Sequence, residues 1–205
     1  MTKWLALFAI LVSADAQAWN CKHERSLDEA LDVDGSESLA IEAFAGDLEV
    51  TGISRSDEVR IRGRICASKK DWLDETRIET SGGDRARIGV DMPNMESSWS
   101  LFGGNRYAYV DLVLEVPEDL ALEIRDTSGD ITLENTTVAS VEDSSGDIEI
   151  SDARGALELR DTSGDVTLRG LAGDLTVLAD SSGDLHGRDI DGAVTVLRDS
   201  SGDIR

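Results

Sequence analysis

The sequence predicts an all-β fold, a β-solenoid (parallel β-helix-like) of about 18-residue coils, with an irregular β N-terminal part. Three observations predict it. Asp-Ser/Thr-Ser-Gly-Asp occurs five times in the second half, at Asp126–Asp130, Asp143–Asp147, Asp161–Asp165, Asp180–Asp184 and Asp199–Asp203. The starts are 17, 18, 19 and 19 residues apart, and glycines at 146, 155, 164, 173, 183, 192 and 202 halve that period. Apolar residues lie two apart within each half-repeat: Ile131 and Leu133, Ile148 and Ile150, Leu157 and Leu159, Val166 and Leu168, Leu175 and Val177, Val194 and Val196.

Period two is the signature of a strand with one buried face. Each run is bounded by Gly, Asp and Ser, which make turns: Gly supplies positive φ, and the short polar side chains bond nearby backbone N–H groups. No strand this short can bury its apolar face alone. Coiling the chain so that like strands stack about 4.8 Å apart buries a continuous Ile/Leu/Val column. An antiparallel meander could use similar strands, but it has no need of two alternating kinds of half-repeat.

The first half is β-like without the regular period. Leu39 and Ile41, Leu48 and Val50, and Val59, Ile61 and Ile65 alternate. Gly46–Val50 resembles Gly173–Val177, so the repeat begins early in degraded form. Residues 69–78 read as a short helix or a loop. Val110–Val116 is a strong strand, ended by Pro117. Both prolines, Pro93 and Pro117, lie outside the repeats, as a hydrogen-bonded stack requires. The expected organisation is residues 1–18, residues 19–125 as an irregular β part and cap, and residues 126–205 as the repeat array, continuous with the preceding part as one elongated domain.

At the N-terminus, Lys3, the apolar run Trp4–Val12 and the small-x-small sequence Ala16-Gln17-Ala18 follow the plan of a cleaved signal peptide, with Trp19 the first residue after cleavage. The run is too short to span a bilayer, which takes about 20 apolar residues. Trp19 and Asn20 before Cys21 argue against a lipid-anchored cysteine. The expected location is periplasmic or secreted to the cell surface. Two cysteines, Cys21 and Cys66, in an exported chain read as one disulfide. A net charge of −22 argues against nucleic acid and anionic membrane surfaces as partners, since phosphates would be repelled.

Val110-Asp-Leu-Val-Leu-Glu-Val-Pro-Glu-Asp-Leu-Ala-Leu-Glu-Ile-Arg-Asp-Thr-Ser-Gly-Asp130 resembles the bacterial putative-adhesin family of β-strand-repeat domains of unknown function, in which a strand, a Pro-containing turn and a second strand lead into Ser-Gly-Asp turns. The resemblance covers residues 38–205. It implies an exported β-solenoid and brings no catalytic residues to carry over. The expected role is a non-catalytic, adhesin-like envelope binding or structural module, its ligand an unidentified protein or glycan.

Stacking would place Asp126, Asp143, Asp161, Asp180 and Asp199 in one column and Asp130, Asp147, Asp165, Asp184 and Asp203 in another. Like charges about 5 Å apart repel by about 1 kcal/mol per pair in water. Calcium, a hard cation with carboxylate ligands, could offset this, making the chain a calcium-dependent repeat protein. Alternatively each carboxylate accepts backbone or hydroxyl hydrogen bonds in its own corner, with Arg125, Arg160 and Arg198 relieving some repulsion. Trp99, Phe102, Tyr107 and Tyr109, around Gly103-Gly104, form either a contact loop or a cap over the open end of the array. A polysaccharide-acting enzyme is the least favoured alternative. His186 stands alone in the repeats, every other Ser, Asp and Gly recurs with the period, and no acid–base constellation is present. The sequence stops two residues past the fifth Ser-Gly-Asp, before that strand can form; either it is cut short there, or another copy or a partner covers the open edge, which makes end-to-end self-association one expectation.

Overall fold

Alternating burial along the strands builds the structure, a computed structural model that describes residues 21–93 and 106–205. Residues 1–18, expected to be a signal peptide, and Trp99 and Phe102 of the expected contact loop or cap lie outside the described residues. The chain opens with β1 (His23–Asp32), β2 (Ser38–Glu42), β3 (Leu48–Ile53) and β4 (Glu58–Ala67). A single turn of helix, α1 (Lys70–Glu75), precedes β5 (Arg77–Ser81), β6 (Arg85–Asp91), β7 (Ala108–Pro117) and β8 (Ala121–Arg125). The repeats then form β9 (Ile131–Glu134), β10 (Thr137–Glu142), β11 (Ile148–Arg154), β12 (Leu157–Arg160), β13 (Val166–Ala172), β14 (Leu175–Ala179), β15 (Leu185–Ile190) and β16 (Val194–Val196).

These strands pair into two long ladders. One runs β1-β4-β7-β3-β9-β11-β13-β15, the other β5-β6-β2-β8-β10-β12-β14-β16, and a single pair, Thr137 with Arg154, joins them. Within the repeats every pairing is parallel, and the register follows the sequence spacing. Ile148 stands beside Ile131, 17 residues back, and beside Val166, 18 residues on; Leu185 follows Val166 by 19. Residues sharing a repeat position therefore share a row.

The degraded copy joins the same ladder: Leu48 and Val50 stand in register with Ile131 and Leu133, and on their other side with Leu112 and Leu114. Beyond β7 the pairing turns antiparallel, β7 with β4 and β4 with β1. On the second ladder, β6 and β5 do the same.

The inward residues of both ladders form one apolar cluster, in which Ile41, Leu114, Ile131, Leu133, Ile150 and Val177 are fully covered. Each such aliphatic side chain contributes roughly 1.5–3 kcal/mol through removal from water. At the N-terminal end, Leu27 and Ile78 meet over Gly63, where a Cβ would come within 3.0 Å of both side chains. Trp72 and Leu73 of α1 join the cluster, with Lys69 Nζ 4.3 Å above the Trp72 ring. The Cys21–Cys66 disulfide ties the chain just before β1 to the end of β4, with the Cα atoms 5.6 Å apart.

Candidate functional site at the repeated corners

Each Ser-Gly-Asp sits at a corner between strands of the two ladders. Close stacking there demands glycine. Gly164 has φ +139°, and a Cβ on it would lie 1.8 Å from the carbonyl oxygen of Gly146, its counterpart one repeat earlier. Backbone bonds run through the corners, Gly146 N–H to the Ser163 carbonyl and Gly164 N–H to the Ser182 carbonyl.

The second aspartate of each corner is exposed, or half-buried at Asp184, and engaged. Asp130 Oδ1 accepts the N–H of Asp147 at 3.0 Å, Asp147 that of Asp165, Asp165 that of Asp184, and Asp184 that of Asp203, the last three at 2.9 Å. The row extends into the degraded repeat, where Asp47 accepts from Asp130 and Asp111 from Asp47, both at 3.2 Å. Each carboxylate thus bonds the next corner rather than its own.

The first aspartate points inward. Asp126, Asp143, Asp161 and Asp180 are between 1% and 5% exposed. Thr162 N–H donates to Asp161 Oδ1 at 2.7 Å. Both carboxylate oxygens of Asp126 and Asp143, with Asp161 Oδ2 and Asp180 Oδ1, are buried without a hydrogen-bond partner. Burial pushes Asp126 and Asp161 up to about 6, opposed by the nearby backbone amides of Thr127 and Thr162 and reinforced by the charge of Asp143. Asp143 and Asp180 are raised too, again chiefly by burial. Asp199 ends the column and is exposed.

Among the described residues, no group of three or more His, Cys, Asp or Glu side chains is arranged to hold a metal ion. The arginines beside the aspartates turn elsewhere: Arg125 Nε and Arg160 Nε both approach Glu142, at 3.1 and 3.6 Å. His186 lies on the outer face of β15, in register with Thr167, with no acid–base partner bonded to it among the described residues. Tyr107 and Tyr109, with ring centroids 6.1 Å apart, lie beside the disulfide. Tyr109 is the ladder partner of Cys66, and Tyr107 Oη accepts the N–H of Lys22 at 3.1 Å.

One exposed aromatic interrupts the repeat pattern. Phe44 is 47% exposed at the corner of the degraded repeat. The signal lay in matching Gly46-Asp47 to the Gly-Asp of the five Ser-Gly-Asp copies: two residues before the glycine, it puts an aromatic where those five carry Thr or Ser.

The profile of the Toastrack DUF4097 family matches residues 27–155. None of the curated proteins matches the sequence. Among solved structures, a putative cell adhesion protein from Clostridium sporogenes is similar with a TM-score of 0.53 at 11% identity, over 89% of this chain and 98% of that one. A putative adhesin from Bacteroides fragilis gives a TM-score of 0.33 at 9% identity, over 88% and 96%. The first likeness is one of fold.

Proposed function

The chain belongs to the Toastrack DUF4097 family, and from that premise we propose that it is a non-catalytic binding module of the bacterial envelope, built as a β-solenoid of about 18-residue coils. The observation that carries this reading is the corner row. Each Gly-Asp carboxylate of the corners, Asp47, Asp130, Asp147, Asp165 and Asp184, accepts the next corner's backbone N–H, so the repeated residues serve stacking. Parallel registers of 17, 18 and 19 residues support the coil size. The disulfide supports an oxidising compartment outside the cytoplasm. The Clostridium sporogenes protein of similar fold is described as a putative cell adhesion protein, which agrees with a binding role.

Immobilised envelope fractions and their isolated glycans provide the test. Saturable binding of the chain from Trp19 onward, with no new reducing ends released, is the expected result. Turnover of any glycan that is lost in His186→Ala would replace this reading with an enzymatic one.

A second reading places calcium along the aspartates, and the orphaned oxygens of Asp126, Asp143, Asp161 and Asp180 favour it. It requires a melting temperature that rises by many degrees in millimolar calcium, much less in magnesium, and falls with chelator. A melting temperature indifferent to all three leaves the aspartates as structural groups.

A further inference from the structure

Phe44 occupies a place where the repeat puts a hydroxyl. Ala45 bridges to Ser128 in parallel register, so Ala43-Phe44-Ala45-Gly46-Asp47 stands residue for residue beside Asp126-Thr127-Ser128-Gly129-Asp130. At the second position the other corners carry Thr127, Ser144, Thr162, Ser181 and Ser200. A phenyl ring half in water does nothing for the stack that a hydroxyl does not do. At the first position Ala43, buried, replaces the aspartate, so Asp126 has no carboxylate beside it on this side.

Together these two differences open a recess lined by Ala43, Phe44 and Asp126. Its other wall is a cross-strand row, Glu42–Arg125–Glu142. The charges of that wall are matched internally: Arg87 Nη2 holds Glu42 at 2.7 Å, and Arg125 Nε holds Glu142 at 3.1 Å. Thr127 and Ser144 bring hydroxyl groups to the rim. Asp126, 5% exposed, closes the floor with both carboxylate oxygens buried.

An apolar ring face beside neutralised charge pairs and hydroxyls suits a neutral polyhydroxylated ligand. A pyranose presents a C–H face to the ring, and its hydroxyls both donate to carboxylates and accept from guanidinium and Ser/Thr groups. Anionic sugars are disfavoured by Asp126, Glu42, Glu142 and the net charge of −22. A bare cation would meet the guanidinium groups of Arg125 and Arg87. We propose that the recess beside Phe44 is a subsite for a neutral sugar residue of a glycan. The proposal rests on the reading of the chain as a binding module and names its ligand class.

The test is amide NMR of the full chain titrated with neutral gluco-, galacto- and manno-oligosaccharides, and separately with a lysine-rich peptide. At least one sugar should shift the Phe44, Thr127 and Ser144 amides at millimolar concentration. Phe44→Ala should weaken that binding by about tenfold, the order of loss on truncating an aromatic anchor. Phe44→Tyr should retain it, with both variants melting as the parent does. The proposal is overturned if no sugar shifts these amides, if Phe44→Ala binds as tightly as the parent, or if only the peptide shifts them. If one of these results occurs while the parent still binds envelope fractions, the subsite alone is wrong. If the parent binds neither sugars nor fractions, the binding-module reading fails with it.

Discussion

Asp147 Oδ1 accepts the backbone N–H of Asp165 at 2.9 Å, while the N–H of Asp147 is itself held by Asp130 Oδ1 at 3.0 Å. The same residue is thus acceptor for one neighbour and donor to the other. Repulsion between successive carboxylates is offset by a charge-assisted bond at each step. Asp147→Ala should therefore lower stability in urea by about 1 kcal/mol, the net worth of one such bond. Asp147→Asn, whose side-chain carbonyl accepts the same N–H, should lose well under half as much. Equal losses in the two variants would remove the bond from the account.

The corner glycines make a sharper prediction. Gly164 has φ +139° and a prospective Cβ 1.8 Å from the Gly146 carbonyl oxygen, whereas Gly35, at φ +75°, has nothing within 4 Å. Gly35→Ala should cost about 1 kcal/mol for backbone strain alone. Gly164→Ala adds a clash with backbone that cannot move without parting two rungs, so the loss should exceed about 4 kcal/mol. Circular dichroism melts of the two variants give the comparison, and similar melting temperatures would mean that the corners stack more loosely than the geometry shows.

Much of this was legible in the sequence, because in a parallel stack the repeat length is the register. The offsets of 17, 18 and 19 residues between Ile131, Ile148, Val166 and Leu185 are the ladder pairings themselves. The strand Val110–Val116 and the short helix within 69–78 were legible too, the first from its alternation and the second as one of two readings. By contrast, β1 carries His23, Glu24, Arg25, Asp28, Glu29 and Asp32, and of its residues only Leu31 is buried. On its inward side Arg25 and Glu29 stay exposed between His23, Leu27 and Leu31, so no apolar alternation was there to be read. The direction of the aspartate bonds was also hidden. A local Asx-type turn and a bond to the next rung use the same residues, and only three-dimensional stacking separates them.

The disulfide acts on this poorly encoded strand. Cys21 and Cys66 join the start of β1 to the strand that is its sole ladder partner. Closing that loop should contribute roughly 4 kcal/mol on the chain-entropy treatment. In the double variant Cys21→Ser, Cys66→Ser, the amides of β1 should exchange with deuterium much faster than in the parent. Those of β11 and β13, held on both sides by parallel neighbours, should change less. Uniform acceleration across the chain would show instead that the bond supports the whole stack.

Protonation of the buried aspartate column should stabilise the fold. Asp126 and Asp161 titrate near 6 in the fold against an ordinary value of 3.8, because burial disfavours the ionised form. Between those values the native chain binds more protons than the unfolded one, so stability falls as pH rises. The stabilisation is complete below about pH 4 and lost as pH climbs through 6. Other carboxylates oppose the trend; Glu42, held low by Arg87, loses its ion pair in acid. Asp161→Asn isolates the column from that background. The carboxamide oxygen still accepts the Thr162 N–H, and its NH₂ offers a donor where Asp143 and Asp180 have unpartnered oxygens. This variant should gain about 1 kcal/mol at pH 8 by removing an uncompensated buried charge, and little or nothing at pH 4. Urea titrations at the two pH values measure the difference, and a loss of stability at pH 8 would mean that the Asp161 carboxylate is paired as an anion.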